Sequence, residues 1–113
     1  MHEMALAEGM LEIVEDVARR NDATKVRTVW LELGALSHVE AHALRFCFDA
    51  VTKGGVADGA TLEIVTVPGL AWCMPCGERV PLAQLGEPCP RCAGYQLQVV
   101  AGDDMKVREI AVA

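Results

Sequence analysis

The sequence predicts an α+β fold: two helices packed on a small mixed β-sheet, with a four-cysteine ribbon module inserted late in the chain. Three observations lead there. Two stretches in the first half repeat their apolar residues every three or four positions, as helices do. Short runs rich in β-branched residues, bounded by glycine or proline, separate and follow them. From Leu70 to Gly94 the composition then changes, to four cysteines and four prolines with little helical periodicity.

The first helix is expected from Glu3 to Arg20. Met4, Ala7, Leu11, Val14 and Ala18 form its stripe, flanked by Leu6, Met10, Ile13 and Val17. Acids crowd its early turns and Arg19 and Arg20 its last, which suits the helix dipole. Asn21-Asp22 ends it. Thr24–Leu33 reads as a strand, with Val29, Leu31 and Leu33 on one side and Gly34 as its stop. Ser37 followed by Glu40 has the capping-box pattern, predicting a second helix to about Lys53 that buries Val39, Ala43, Phe46, Cys47 and Ala50. Gly54-Gly55 would close that helix.

Ala60–Val67 is a second strand, ended by Pro68-Gly69. Beyond the cysteine-rich stretch, Tyr95–Ala101 and Met105–Val112 read as strands joined by a Gly102-Asp103-Asp104 turn. Both should return to the helix-backed sheet, because Val107, Ile110 and Val112 need a core to cover them. Two domains follow: an α+β domain of residues 1–69 and 95–113, and a ribbon domain of residues 70–94.

Composition narrows the function. The chain has 113 residues, 52% of them apolar, so a core is possible without disulfides. Its formal charge is −6, which disfavours contact with phosphate backbones and excludes nucleic acid as the expected partner. The ribbon hides no basic patch, since its charges are Glu78, Arg79, Glu87 and Arg91. Acids through the first 20 residues exclude a secretory signal, and no apolar run is long enough for a membrane span. The expectation is a soluble cytoplasmic protein.

Cys73-x2-Cys76 and Cys89-x2-Cys92, with 12 residues between the pairs, are the strongest motif. Each pair turns two sulfurs toward one point, and two pairs complete a tetrahedron that suits Zn(II). A redox dithiol would not need the second pair, and disulfides do not suit the cytoplasm. An iron–sulfur cluster could use the same thiolates. Four protein ligands leave no open position, so the expected Zn(II) is structural. With no phosphate-binding Gly-x4-Gly-Lys-Ser/Thr loop and no nucleophile–base pair of recognisable spacing, an enzyme is not expected. Trp72 and Met74 are candidate contact residues for a partner.

The opening Met1-His2-Glu3 offers nitrogen donors. A histidine at position 2 disfavours removal of the initiator methionine, which leaves an α-amine one residue from an imidazole. That amine, the backbone nitrogens of His2 and Glu3, and the His2 ring can surround a planar-preferring ion such as Ni(II) or Cu(II). On its own a second-position histidine is usually a solvated side chain. His38 and His42, four apart on the expected helix, could also share a metal, though capping or solvated roles fit them better. Cys47 reads as a buried small hydrophobe.

Several segments together resemble the HypA/HybF family: Met1-His2-Glu3, Leu33-Gly34-Ala35-Leu36-Ser37-His38-Val39-Glu40, Leu44-Arg45-Phe46-Cys47-Phe48, Gly59-Ala60-Thr61-Leu62-Glu63-Ile64, Val67-Pro68-Gly69 and the paired knuckles. They span essentially the whole chain. The resemblance implies a metallochaperone with Ni(II) as cargo for [NiFe] hydrogenase and, in some members, urease. It implies nickel at His2 with the Met1 amine and nearby backbone, tuned by Glu3, and zinc at Cys73, Cys76, Cys89 and Cys92. It also implies a nickel-handling GTPase as partner and the hydrogenase large-subunit precursor as recipient. Two departures stand out: Ala93 follows the last cysteine where the family commonly has glycine, and no histidine lies within 70–94. The rival reading is a zinc-ribbon interaction module without nickel chemistry.

Overall fold

The computed structural model describes residues 2–113. The elements are α1 (Glu3–Arg20), β1 (Val26–Gly34), α2 (Ala41–Val51), β2 (Thr61–Val67), β3 (Leu70–Cys73), β4 (Glu78–Pro81), β5 (Leu97–Ala101) and β6 (Met105–Val112). They form the expected α+β architecture, with two three-stranded sheets ordered β2-β1-β6 and β4-β3-β5. Packing divides the chain into two compact units. One comprises the segment ending at Leu31 with Val39–Ile64 and Val107–Ala113, and the other comprises Glu32–His38 with Val65–Lys106.

In the first unit α1 runs over the span its periodicity predicts, burying Ala7, Met10, Val14 and Ala18. It stops where Asp22 turns into the left-handed region (φ 52), with Ala23 N–H returning to Ala18 O at 2.8 Å. Helix α2 packs against α1, and Leu44 and Phe48 are fully buried, as are the strand residues Val26, Val29 and Leu31. Each such side chain stabilises the fold by roughly 1.5–3 kcal/mol. Thr52, also buried, donates its hydroxyl to Phe48 O at 2.8 Å, so its burial leaves no polar atom unpaired.

The start of α2 departs from the capping-box expectation. Ser37 Oγ donates back to Gly34 O at 2.7 Å, and His38 adopts a left-handed backbone (φ 59), so no helix passes through residues 37–39. Glu40 is itself the N-cap, its carboxylate accepting from the N–H groups of His42 and Ala43. The helix covers Cys47 as expected, but its other buried residues are Leu44 and Phe48, whereas Phe46 is 72% exposed. In so short a helix, two apolar stripes fit the same period.

In the second unit β3 is the central strand, antiparallel to both neighbours, with Trp72 opposite Arg79 on β4 and Gln98 on β5. Its inward residues Ala71 and Cys73 join Leu36, Val80, Leu82 and Cys89 in one buried cluster. The two final strands do not form a hairpin: β5 pairs with β3, whereas β6 pairs with β1. Val112 is exposed rather than covered. The chain changes sheets at Gly102 (φ 87), where a Cβ would lie 2.5 Å from Pro68 O and 2.7 Å from Gly69 Cα. Three backbones meet there, because a Cβ on Gly34 would strike the Gly102 carbonyl and lie 2.9 Å from Asp103 N. Only glycine permits so close an approach.

Candidate metal centre

The four ribbon cysteines converge. All four Sγ atoms lie within 4.8 Å of one another, with Cys73 to Cys92 at 3.6 Å and Cys76 to Cys89 at 3.9 Å. A tetrahedral ion bound at about 2.3 Å to each sulfur requires sulfurs about 3.8 Å apart, so this donor set fits such an ion. Cys73 is delivered by the inward face of β3, and the β3–β4 turn carries Cys76. The second knuckle lies beyond β4 and is tied back by an ion pair between Arg91 and Glu78.

The two knuckles share one backbone design. Gly77 N–H donates to Cys73 O at 2.8 Å with φ 63, and Ala93 N–H donates to Cys89 O at 2.8 Å with φ 63. The residue after each second cysteine therefore makes the turn, and it is Ala93 rather than Gly94 that does so in the second knuckle. The alanine leaves the turn's geometry unchanged. Instead it holds a left-handed conformation that an L side chain disfavours by about 1–2 kcal/mol.

Backbone N–H groups also set the charge of the four-thiol cluster. Cys89 is lowered to about 7 by the Cys92 N–H first and by the Arg91 N–H, which lies 3.4 Å from its sulfur. Cys76 is pushed up to about 12, first by the Cys73 thiol beside it and then by burial. For Cys73 the Cys76 N–H acts to lower the value, but burial and the Cys92 thiol outweigh it and the net direction is upward. Binding a cation must therefore displace protons from at least Cys73 and Cys76. An ion held by all four sulfurs would have no position left for a substrate.

A family profile described as "Hydrogenase/urease nickel incorporation, metallochaperone, hypA" matches residues 1–112. The chain belongs to the HypA family. It is thus similar to the hydrogenase maturation factor HypA of Albidiferax ferrireducens, 59% identical over 112 residues and 99% of each chain. HypA of Rhodopseudomonas palustris strain BisB5 is 60% identical over 112 residues, again 99% of each. The fold matches the solution structure of the Ni metallochaperone HypA from Helicobacter pylori, with a TM-score of 0.73 at 21% identity, covering 99% of this chain and 97% of that one. HypA proteins are metallochaperones, so this chain is not an enzyme.

The remaining candidates are placed as follows. Met1 lies outside the described residues. His2 is the exposed N-cap of α1 and makes no side-chain cap, while its carbonyl accepts from Leu6 N–H at 2.9 Å. The Glu3 carboxylate accepts from Glu40 N–H at 3.3 Å, which with Glu3's own N–H lowers its pKa. His38 and His42 are both exposed and do not sit four apart on one helix, because α2 begins only at Ala41. Cys47 is buried and is not one of the four converging sulfurs. Trp72 is 38% and Met74 63% exposed. Sequence reasoning did not anticipate the Glu3–Glu40 hydrogen bond, which joins residues 37 positions apart and leaves no local signal.

Proposed function

We propose that this HypA-family chain carries Ni(II) at its amino terminus for the maturation of [NiFe] hydrogenase. Met1 contributes its α-amine, His2 its imidazole and amide, and Glu3 its backbone, while Glu3 itself tunes the site. Cys73, Cys76, Cys89 and Cys92 hold a structural Zn(II). The chain acts in the cytoplasm with a nickel-handling GTPase and delivers the ion to the hydrogenase large-subunit precursor. The observation that carries this reading is the match of residues 1–112 to a nickel-incorporation family. The exposure of His2 at the tip of α1 supports it, since cargo must be loaded and released from solvent. Among the described residues no helix is long and apolar enough to cross a membrane.

Nitrogen donors in a plane suit Ni(II) better than Zn(II), and four thiolates suit Zn(II), so one chain can hold both without exchange between sites. The test adds Ni(II) to the untagged zinc-loaded protein, to His2→Ala and to a version with extra residues before Met1. The wild type should bind one nickel tightly and both variants should lose that affinity. Equal binding by all three refutes the terminal site. The exposed Trp72 and Met74 favour a second role for the ribbon as a contact surface. If that were the ribbon protein's only function, zinc would be the sole metal retained.

A further inference from the structure

Helix α1 ends beside a small pocket. Glu15, Ala18 and Arg19 of the helix line it, together with Ala23 from the segment that follows α1 and Val56 from the segment that follows α2. All five belong to one compact unit. The pocket's volume is about 210 Å³, below the roughly 300–1,000 Å³ of sites that enclose a cofactor or a drug-sized ligand. A space of that size suits a single side chain. Three of the five residues are apolar: Ala18 is buried, and Ala23 and Val56 are half-buried.

One charge in the lining is left over. Asp16, beside Glu15 in the chain, takes both nearby guanidinium groups, Arg19 at 3.6 Å and Arg20 at 2.8 Å. Glu15 and Arg19 stand four apart on the helix, the spacing of an ion pair, yet Arg19 turns to Asp16 instead. Among the described residues the Glu15 carboxylate therefore has no hydrogen bond or ion pair. It is half-buried, and it lies by the segment after α2, since a Cβ on Gly55 would be 3.9 Å from its Oε2. The carbonyl end of α1 adds a partial negative charge in the same place. Arg19 opposes a cation here, but its side chain is 71% exposed and drawn toward Asp16.

We infer that this pocket receives the side chain of a lysine carried on a basic surface of a partner protein. Its ammonium pairs with Glu15 and its four-carbon stem covers Ala18, Ala23 and Val56. A compact ammonium reaches one carboxylate while keeping clear of Arg19, which a planar guanidinium with five donors does less well. A second copy of this chain is a poor source of that lysine, because two chains of charge −6 repel. Twelve positions separate Glu15 from Glu3, about 18 Å along the helix. The contact is thus distinct from the proposed nickel site, and its failure would leave that reading standing.

The experiment follows the backbone amide resonances of the zinc-loaded protein as N-acetyl-lysine methylamide is added. N-acetyl-norleucine methylamide, which keeps the stem and lacks the ammonium, is titrated in parallel. The lysine derivative should shift the Ala23, Gly55 and Val56 amides to saturation, and the norleucine derivative should bind at least fivefold more weakly. Glu15→Gln should weaken lysine binding at least fivefold. Glu12→Gln, which removes an exposed acid of α1 outside the pocket, should leave it unchanged. Unaltered zinc content and circular dichroism establish that both variants are folded. The inference is overturned by any of four results: no shift at those amides, equal binding of the two derivatives, wild-type affinity in Glu15→Gln, or an equal loss in Glu12→Gln.

Discussion

Replacing Ala93 with glycine should strengthen the four-cysteine site. The two knuckles are a matched pair, with φ 63 and a 2.8 Å hydrogen bond at both Gly77 and Ala93, so each serves as the other's control. An alanine in the left-handed region costs about 1–2 kcal/mol. Glycine removes that strain but returns about 0.5–1 kcal/mol through the greater freedom of the unfolded chain. The net gain is about 0.5–1 kcal/mol. Because the ribbon's folding and its metal binding are one equilibrium, that gain should appear as a two- to fivefold tighter zinc affinity. Gly77→Ala should lose a similar amount. The assay is competition against a chromophoric zinc chelator at fixed pH. If Ala93→Gly weakens zinc, or if the two substitutions shift affinity in the same direction, backbone strain is not what distinguishes the knuckles.

Further outcomes follow from the same structure. Gly34→Ala places a methyl against the Gly102 carbonyl with no flexible side chain to yield, and should destabilise the zinc-loaded protein by about 1–3 kcal/mol in denaturant titration. Gly9→Ala, on an exposed face of α1 with nothing within 4 Å, should instead stabilise it by about 0.8–1 kcal/mol. Phe48→Ala should cost about 3–5 kcal/mol, whereas Phe46→Ala at an exposed position should change stability by less than about 0.5 kcal/mol. Zinc affinity should fall as pH falls. Cys73 is raised and Cys76 stands at about 12, so the metal displaces at least two protons near neutrality, and affinity should drop on the order of a hundredfold per pH unit. A drop below tenfold between pH 7.5 and 6.5 refutes that count.

What could be read from the sequence depended on how many turns or rungs carried each signal. Helix α1 repeats its pattern over 18 residues, so its limits and its buried stripe were legible. Helix α2 has 11 residues, and the expected stripe of Val39, Ala43, Phe46, Cys47 and Ala50 matches the helical period as well as Leu44, Cys47 and Phe48 do. Only packing against α1 decides between them. Strands β3 and β4 have four residues each, too few to show alternation amid the prolines. The separation of β5 from β6 was hidden because Gly102 looks like an ordinary turn residue until Gly34 and Gly69 are seen beside it. The spacing of the cysteines, by contrast, states their geometry outright: two residues between sulfurs is what a knuckle needs.

The junction of Gly34, Gly69 and Gly102 also explains why segments far from any metal donor belong to the family pattern. Leu33-Gly34 and Val67-Pro68-Gly69 contribute no ligand, yet Gly69 O accepts from Leu82 N–H at 3.0 Å and a Cβ on Gly69 would lie 2.7 Å from Leu36 Cγ. Leu36 and Leu82 belong to the cluster that buries Cys73 and Cys89. A side chain at Gly69 would therefore push on the buried cluster that contains Cys73 and Cys89. The cysteine site thus depends on backbone contacts made outside the cysteine-rich stretch. By the same physical logic the proposed amino-terminal site draws on a residue far along the chain, because the Glu40 N–H donates to the Glu3 carboxylate at 3.3 Å.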